Sequence, residues 1–387
     1  MSALRTITKN VLSNTAGHFV ALATALLLTP FVVAQLGDDV YGIWGIVVSL
    51  TGYYGILDLG IRSAVGQYVT RYWAQGDIAG LNRTMSTAVA ITLPIAGLLL
   101  LVSGLIAWLL PSLASLPPES VAPTRTAILI TGGAVALAFP FAVFGSATYA
   151  RQRFDIANAV GITERLLSVG LAYWVLTAGY GIVGIAATTA GTQLLGWGAR
   201  LWIAFRMLPG LQVAPRWCSR ASLRELWSFG LYNFLINVAD RIVLSTDLLV
   251  IGFMIPAKQA VTYYSLGGDF VAHFVTLVNS MAWALTPYAT SRDAVGDERA
   301  LRTLWLKGSR TIFLFAAIVG GGLIVLGRDF LTLWVGAKYV SGETYTSSAV
   351  ILSVLAVAAL LRALMTCGKQ ILFGIREVRY LAWLASL

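Results

Sequence analysis

Charge is scarce in this sequence: charged residues make up 11% of its 387 positions, against about 25% in an ordinary soluble domain. That excludes a water-soluble globule, because too little polar surface exists to cover a chain of this length. Histidine and cysteine are nearly missing, with two of each. Cys218 stands beside a basic loop and Cys367 near the end of an apolar segment, with neither the spacing nor the partners for a disulfide or a metal site. Both read as packing residues. No phosphate-binding glycine loop, HExxH pair, paired-cysteine site or Ser, His, Asp set is present. The chain therefore reads as a non-enzyme that needs no metal or cofactor, driven by an ion gradient or by the gradient of its substrate. Strand-like alternation is missing too, which predicts an all-α protein.

Apolar residues are there in abundance, at 58% of the sequence with a mean hydropathy of +0.78. They fall in runs of 18 or more, such as Ile91 to Leu110, matching the roughly 20 residues a helix needs to cross about 30 Å of hydrocarbon. A spanning backbone must satisfy its own amides, so helices or closed barrels are the options, and long continuous runs exclude the barrel. The runs predict helices near 11–35, 41–69, 84–110, 124–150, 160–178 and 182–207, then near 226–255, 261–290, 309–333 and 345–372, with a last segment from 378. Two bundles follow: six helices in residues 1–215, and four to five in residues 216–387.

The net charge of +10 is explained by membrane orientation, with no nucleic-acid partner. Arg5, Lys9, Arg71, Arg83, Arg151, Arg153, Arg165, Arg206, Arg216, Arg220, Arg224 and the cluster Arg292 to Arg310 all fall on one side. The other side holds little beyond Arg125, Lys258, Arg328 and Lys338. Cytoplasmic loops carry the excess of Lys and Arg, so the N-terminus is expected in the cytoplasm of a multi-pass protein. The first apolar run lacks the features of a cleavable signal peptide. The longest external loop, roughly 111–123 with Pro117 and Pro118, is too short to house a catalytic domain.

Sliding the chain by 220 residues aligns QYVTRYWAQGDIAGL with PYATSRDAVGDERAL, so that Tyr68, Thr70, Gly76, Asp77 and Leu81 meet Tyr288, Thr290, Gly296, Asp297 and Leu301. An even number of helices separates the copies. The halves are therefore parallel repeats, as in transporters with a substrate site between two bundles. In this register Leu387 corresponds to residue 167, which leaves the second bundle about two helices short.

A charge in the hydrocarbon core costs at least about 2.5–3.5 kcal/mol, so each one needs a partner, a cavity or a function. Asp58 and Arg62 lie four apart on the second helix and can pair. Arg62 sits roughly 13 Å inward from Arg71, too deep to snorkel out. On the seventh helix Asn233, Asn237, Arg241 and Ser245 form a stripe four apart, with Asp240 and Asp247 on the adjoining face. Arg241 stands about 25 Å along from Arg224, near the midplane. The first helix has a weaker version in Asn14 and His18, the eighth adds Asp269 and His273, and the sixth adds Gln193. Interhelical packing accounts for His18, His273 and Gln193, and Asp58 with Arg62 admits both packing and function. For Arg241 and its asparagines function is the better account, since packing is met more cheaply by Ser, Gly or Ala. In that account asparagines bond sugar hydroxyls and arginines attract phosphate through paired, charge-assisted bonds. Asp240, Asp247 and Asp269 are candidates for coupling to an ion. Tyr41, Trp44, Trp108, Trp227 and Trp334 fall at predicted helix ends and read as interfacial anchors, and Pro30, Pro94, Pro140 and Pro287 mark candidate kinks.

The stretch LTPFVVAQLGDDVYGIWGIVVSL (Leu28 to Leu50), followed by YGILDLGIRSAVGQYVTRYWAQGD (Tyr54 to Asp77), resembles polysaccharide biosynthesis flippases of the Wzx type. The resemblance covers Val11 to Asp77 well and extends through both halves by the repeat. It implies a place in the superfamily of multidrug and oligosaccharide-lipid exporters, with two bundles of transmembrane helices around a central cavity. The implied substrate is a polyprenyl-pyrophosphate oligosaccharide, precursor of O-antigen or exopolysaccharide, flipped across the bacterial cytoplasmic (inner) membrane. The implied partners are this lipid-linked oligosaccharide, membrane lipids, a polysaccharide polymerase and glycosyltransferases. Substrate would be held by Arg62, Arg241, Asn233, Asn237, Asn14 and Asp58. The alternatives are a cation-coupled multidrug exporter of the same superfamily and a nontransporting subunit of a glycan assembly complex.

Overall fold

The structure, a computed structural model, describes the backbone of residues 3–375 apart from Leu59, Ser115, Gln152, Pro256, Ala284, Ala294, Val295 and Thr344. Side chains are described for the same residues except 3–12, 14, 15, 63, 228–233, 235–237, 239–245, 287, 290 and 291. Among the described residues the chain is helical, without strands. Its helices are α1 (Ala3–Tyr53), α2 (Ile61–Gln75), α3 (Ile78–Leu113), α4 (Pro118–Ala142), α5 (Ser146–Ala150), α6 (Phe154–Thr177), α7 (Gly181–Met207), α8 (Arg220–Met254), α9 (Gln259–Trp283), α10 (Thr286–Asp293), α11 (Glu298–Val335) and α12 (Ser348–Gly374). Among the described residues six stretches are long and apolar enough to cross a membrane: Ala16–Asp58, Ile78–Leu113, Pro118–Ala150, Phe154–Thr177, Glu298–Val335 and Ser348–Gly374. The chain is a multi-pass membrane protein. The segment expected from 378 lies outside the described residues.

The backbone shows where the expected helices divide and where they differ. α1 runs through the first predicted helix and into the second as far as Tyr53, and the two divide at Gly37, whose φ of 74° and ψ of 165° are open to glycine at little cost. The turn falls at Gly37 and not at Pro30, which is carried within the helix. α6 begins at Phe154, not near 160. Arg153 Nε and Nη2 hold Asp155 Oδ1 and Oδ2 at 2.9 and 3.0 Å across its first turn, where an acid also suits the helix dipole. Arg165, expected near the cytoplasmic end of this helix, therefore lies well inside it.

The internal repeat is visible in the hydrogen bonds. α2 ends at Gly76 (φ 71°), with Gly76 N donating to Trp73 O at 3.1 Å and Asp77 N to Tyr72 O at 3.0 Å. α10 ends in the same way, with Gly296 N donating to Asp293 O and Asp297 N to Arg292 O, each at 3.0 Å. Both are Schellman closures. Each is followed by an aspartate that caps the next helix: Asp77 Oδ1 accepts from Gly80 N at 2.8 Å, and Asp297 Oδ1 from Ala300 N at 3.0 Å. The repeated Gly-Asp is thus one device, a left-handed stop and a capped restart.

Two compact units are formed, Met1–Pro256 and Ala257–Leu387. In the first, Ile61, Val65 and Val69 of α2 pack with Leu81 and Met85 of α3, Ala147 of α5 and Ala204 of α7. α8 packs on α1, α2 and α3 of this unit. In the second, Val271 and Phe274 of α9, Ile312 and Ala316 of α11, and Leu352, Ala356 and Ala363 of α12 form the core. Lipid is as apolar as these side chains, so close packing holds them together. A Cβ on Gly320 or Gly327 would press on Leu360 or Leu352.

The link from α7 to α8 is fastened to the start of α3. Asn82 Nδ2 donates to Gly210 O at 3.1 Å while its Oδ1 accepts from Gln212 N at 2.9 Å. Ser86 Oγ accepts from Ala214 N at 3.2 Å, and Thr87 Oγ1 from Ser219 N at 3.1 Å. One polar edge of α3 thereby satisfies an extended backbone that has no strand beside it.

Candidate functional site

The second membrane crossing is broken. Its helix loosens into a 3-10 turn at Tyr54–Asp58, and α2 restarts from Gly60 in the left-handed region, φ 69° and ψ 10°. The break is seated by Tyr54, whose hydroxyl meets Ser103 Oγ of α3 at 2.8 Å in a buried contact. Gly132 of α4 makes room for it: a Cβ there would stand 2.8 Å from Ser103 Cβ and 3.4 Å from Tyr54 Cε2. Next to the break, Tyr53 Oη lies 2.6 Å from Thr246 Oγ1 of α8.

Asp58 and Arg62 flank this break. They pair as expected, Arg62 Nε to Asp58 Oδ1 at 3.0 Å, but across a discontinuity and not along one helix face. Arg62 keeps 43% of its side chain exposed while Asp58 keeps 14%. The guanidinium also lies 5.5 Å from the Phe139 ring of α4 and 5.8 Å from the Trp197 ring of α7, within cation–π range.

Trp197 leads to a second ion pair that the sequence did not single out. Arg200 lies 4.6 Å from the same indole and holds Glu164 Oε2 through Nη1 at 3.1 Å. These side chains are 19% and 20% exposed. Asp58, Arg62, Trp197, Arg200 and Glu164 thus make one chain of charged and aromatic groups that links the break before α2 with α6 and α7. Gly196 permits it, since a Cβ there would run into the Glu164 carboxylate and stand 2.9 Å from Arg200 Nη1.

Glu164 and Arg200 open onto a cavity of 530 Å³ between α1, α6 and α7, also lined by Tyr41, Trp44, Arg165 and Gln193. A second cavity of 250 Å³, with His18 and Asn158 in its wall, shares Gly161 and Arg165 with the first. His18 and Asn158 lie nearer the N-terminal ends of α1 and α6 than the larger cavity does. Tyr41 and Trp44, expected as interfacial anchors, face this cavity. Trp108 and Trp227 are exposed, as anchors should be. Gln193, expected to serve packing, lines the cavity wall.

The other expected residues divide in two groups. The side chains of Asn14, Asn233, Asn237, Asp240 and Arg241 lie outside the described residues. The backbone of α8 nevertheless runs unbroken from Arg220 to Met254, which keeps Arg241 about 25 Å along the axis from Arg224. Asp247 is exposed near the end of α8. Asp269 is half-buried in α9 and makes no hydrogen bond or ion pair among the described residues.

The chain is helical and multi-pass, with ion pairs and polar cavities among its helices, and solved structures place the fold. Over 98% of its length the chain is similar to a MOP superfamily transporter from Pyrococcus furiosus, with a TM-score of 0.72, 16% identity and 84% of that chain covered. Over 97% of its length it is similar to an outward-facing MATE family multidrug resistance transporter, with a TM-score of 0.68, 16% identity and 84% covered. Over 97% it is also similar to the lipid II flippase MurJ in an inward closed conformation, with a TM-score of 0.67, 14% identity and 76% covered. At such identities the likeness is one of fold, and that fold is the MOP superfamily's. The family model described as polysaccharide biosynthesis protein matches residues 7–291, and the chain belongs to that family. Among curated proteins it is 23% identical over 335 residues to the uncharacterized membrane protein EpsK of Bacillus subtilis (strain 168). That match takes in 86% of this chain and 66% of EpsK, so the chain spans just under two thirds of that relative.

Proposed function

We propose that the chain flips a polyprenyl-pyrophosphate-linked oligosaccharide across the bacterial cytoplasmic membrane by alternating access, with its N-terminus in the cytoplasm. The observation that carries this is Arg62: at a helix break directly after the membrane-crossing stretch Ala16–Asp58, a guanidinium already paired with Asp58 still leaves 43% of its side chain exposed. A cation kept open there is held for an anion, and a pyrophosphate suits its paired donors. Membership of the polysaccharide biosynthesis family supports a glycan as the cargo. In this reading the headgroup docks on Arg62 and Arg241, the sugars meet Asn14, Asn233 and Asn237, and the lipid tail stays in the bilayer. The bundles 1–215 and 216–387 rock to expose the site to either side, and the product passes to a polymerase.

The test is translocation of a fluorescent polyprenyl-pyrophosphate oligosaccharide in proteoliposomes, with insertion checked in parallel. Arg62→Ala is expected to lower the rate at least tenfold at equal protein level; a wild-type rate would remove the headgroup role. A cation-coupled exporter is the second reading, and Asp269 favours it, being a half-buried acid of α9 with no partner among the described residues. Under that reading Asp269→Asn abolishes transport of a cationic dye and Arg62→Ala leaves it intact.

A further inference from the structure

We propose that the cavity between α1, α6 and α7 is a saccharide subsite for a sugar that bears one negative charge, with Arg165 reading that charge. This rests on the flippase reading and names the kind of glycan it accepts. The charge balance is the first argument. Three ionised groups line the cavity: Glu164, Arg165 and Arg200. Glu164 is already held by Arg200 at 3.1 Å. The excess cation is Arg165, whose one hydrogen bond among the described residues goes from Nη1 to the Ala21 carbonyl at 3.4 Å. A net positive wall does not suit a cation, and one excess charge matches a single anionic group better than a pyrophosphate.

The rest of the wall suits a sugar ring. Thr29, Ser168, Thr189 and Gln193 line it without a side-chain hydrogen bond among the described residues. They present donors and acceptors of the kind that hydroxyls use. Tyr41 and Trp44 supply flat apolar faces on which the C–H side of a pyranose can rest. The volume of 530 Å³ falls among small-molecule sites of about 300–1,000 Å³. The smaller cavity, which has Gly161 and Arg165 in its wall as well, lies toward the N-terminal ends of α1 and α6.

The charge on the sugar can be a carboxylate or a phosphodiester, and the experiment separates the two. Purified full chain is reconstituted in proteoliposomes with polyprenyl-pyrophosphate oligosaccharides that differ in one residue: glucose, glucuronate, or glucose bearing a methyl phosphodiester. Binding of methyl glucoside, methyl glucuronide and the methyl phosphodiester of glucose is measured alongside by saturation-transfer NMR. A hydrogen bond to a charged group predicts roughly a tenfold or greater preference for a charged over the neutral form, and the better of the two charged forms identifies the source. Arg165→Gln should bring the charged-to-neutral ratio close to one. Gly161→Leu, at a position where an added Cβ would meet nothing within 4 Å, should fill the cavity and weaken all three probes. Equal handling of charged and neutral sugars by wild type, or an unchanged ratio in Arg165→Gln, overturns the subsite. If no lipid-linked glycan moves but methyl glucuronide still binds through Arg165, the flippase reading falls and the subsite stands.

Discussion

Two glycines of α7, two residues apart, should answer the same substitution with opposite signs. At Gly196 a methyl group would enter the Glu164–Arg200 pair, 2.8 Å from Glu164 Cδ and 2.9 Å from Arg200 Nη1. The pair must then open from its 3.1 Å. At an effective dielectric of about 20, moving the charges apart to about 5 Å forfeits about 2 kcal/mol. Crowding adds about 1 kcal/mol, and the gain in helix propensity of alanine over glycine returns about as much. Gly196→Ala is therefore expected to destabilise the protein by about 2 kcal/mol. At Gly198 a Cβ meets nothing within 4 Å, so Gly198→Ala keeps only the propensity gain of roughly 0.5–1 kcal/mol. Thermal unfolding of purified protein, followed by fluorescence-detected size exclusion, should show a Tm lower by a few degrees for the first variant and unchanged or higher for the second. In a Glu164→Ala background the penalty at Gly196 should shrink by about 1 kcal/mol or more, because the obstructing carboxylate is gone. Equal melting of the two alanine variants, or a penalty at Gly196 that persists without Glu164, would refute the ion pair as the cause.

Further outcomes follow from other sites. Asn82→Ala leaves Gly210 O and Gln212 N without the Asn82 partner they share; a loss of about 2 kcal/mol is expected, read as faster proteolysis within 208–219. Gly60→Ala places a side chain at φ 69° and should cost about 1 kcal/mol, with a slower transport rate if the break is used in rocking. Exchanging the pair as Asp58→Arg with Arg62→Asp should recover most of the melting temperature lost in Asp58→Ala while leaving translocation low. Recovered translocation would show that the position of the cation does not matter.

Much of the fold could be read because a membrane imposes long apolar runs, and α3, α4, α6, α11 and α12 each carry one. The repeat was legible at Gly76–Asp77 and Gly296–Asp297, where a left-handed stop and a helix cap each demand a particular residue. The break at Tyr54–Gly60 was not, because hydropathy continues through YGILDLG and only the backbone at Gly60 shows the helix stopping. Glu164 and Arg200 escaped for a different reason. Each lies within two turns of a predicted helix end, where a charge is expected to snorkel, and only the earlier start of α6 at Phe154 moves Glu164 inward. Their signal was faint: a lone acid in one apolar segment and, in the next, a glycine four residues before an arginine.

The fastening of the α7–α8 link to α3 also bears on how the chain enters the membrane. Asn82 is synthesised 128 residues before the carbonyl it bonds at Gly210. Between them lie the long helices α3, α4, α6 and α7, and an even number of passages is needed to return the chain to the face it left. Had one of these helices failed to insert, Asn82 and Gly210 would emerge on opposite faces and the bonds could not close. The ladder of Asn82, Ser86 and Thr87 therefore works as a parity check, closed only when an even number of passages separates its two sides.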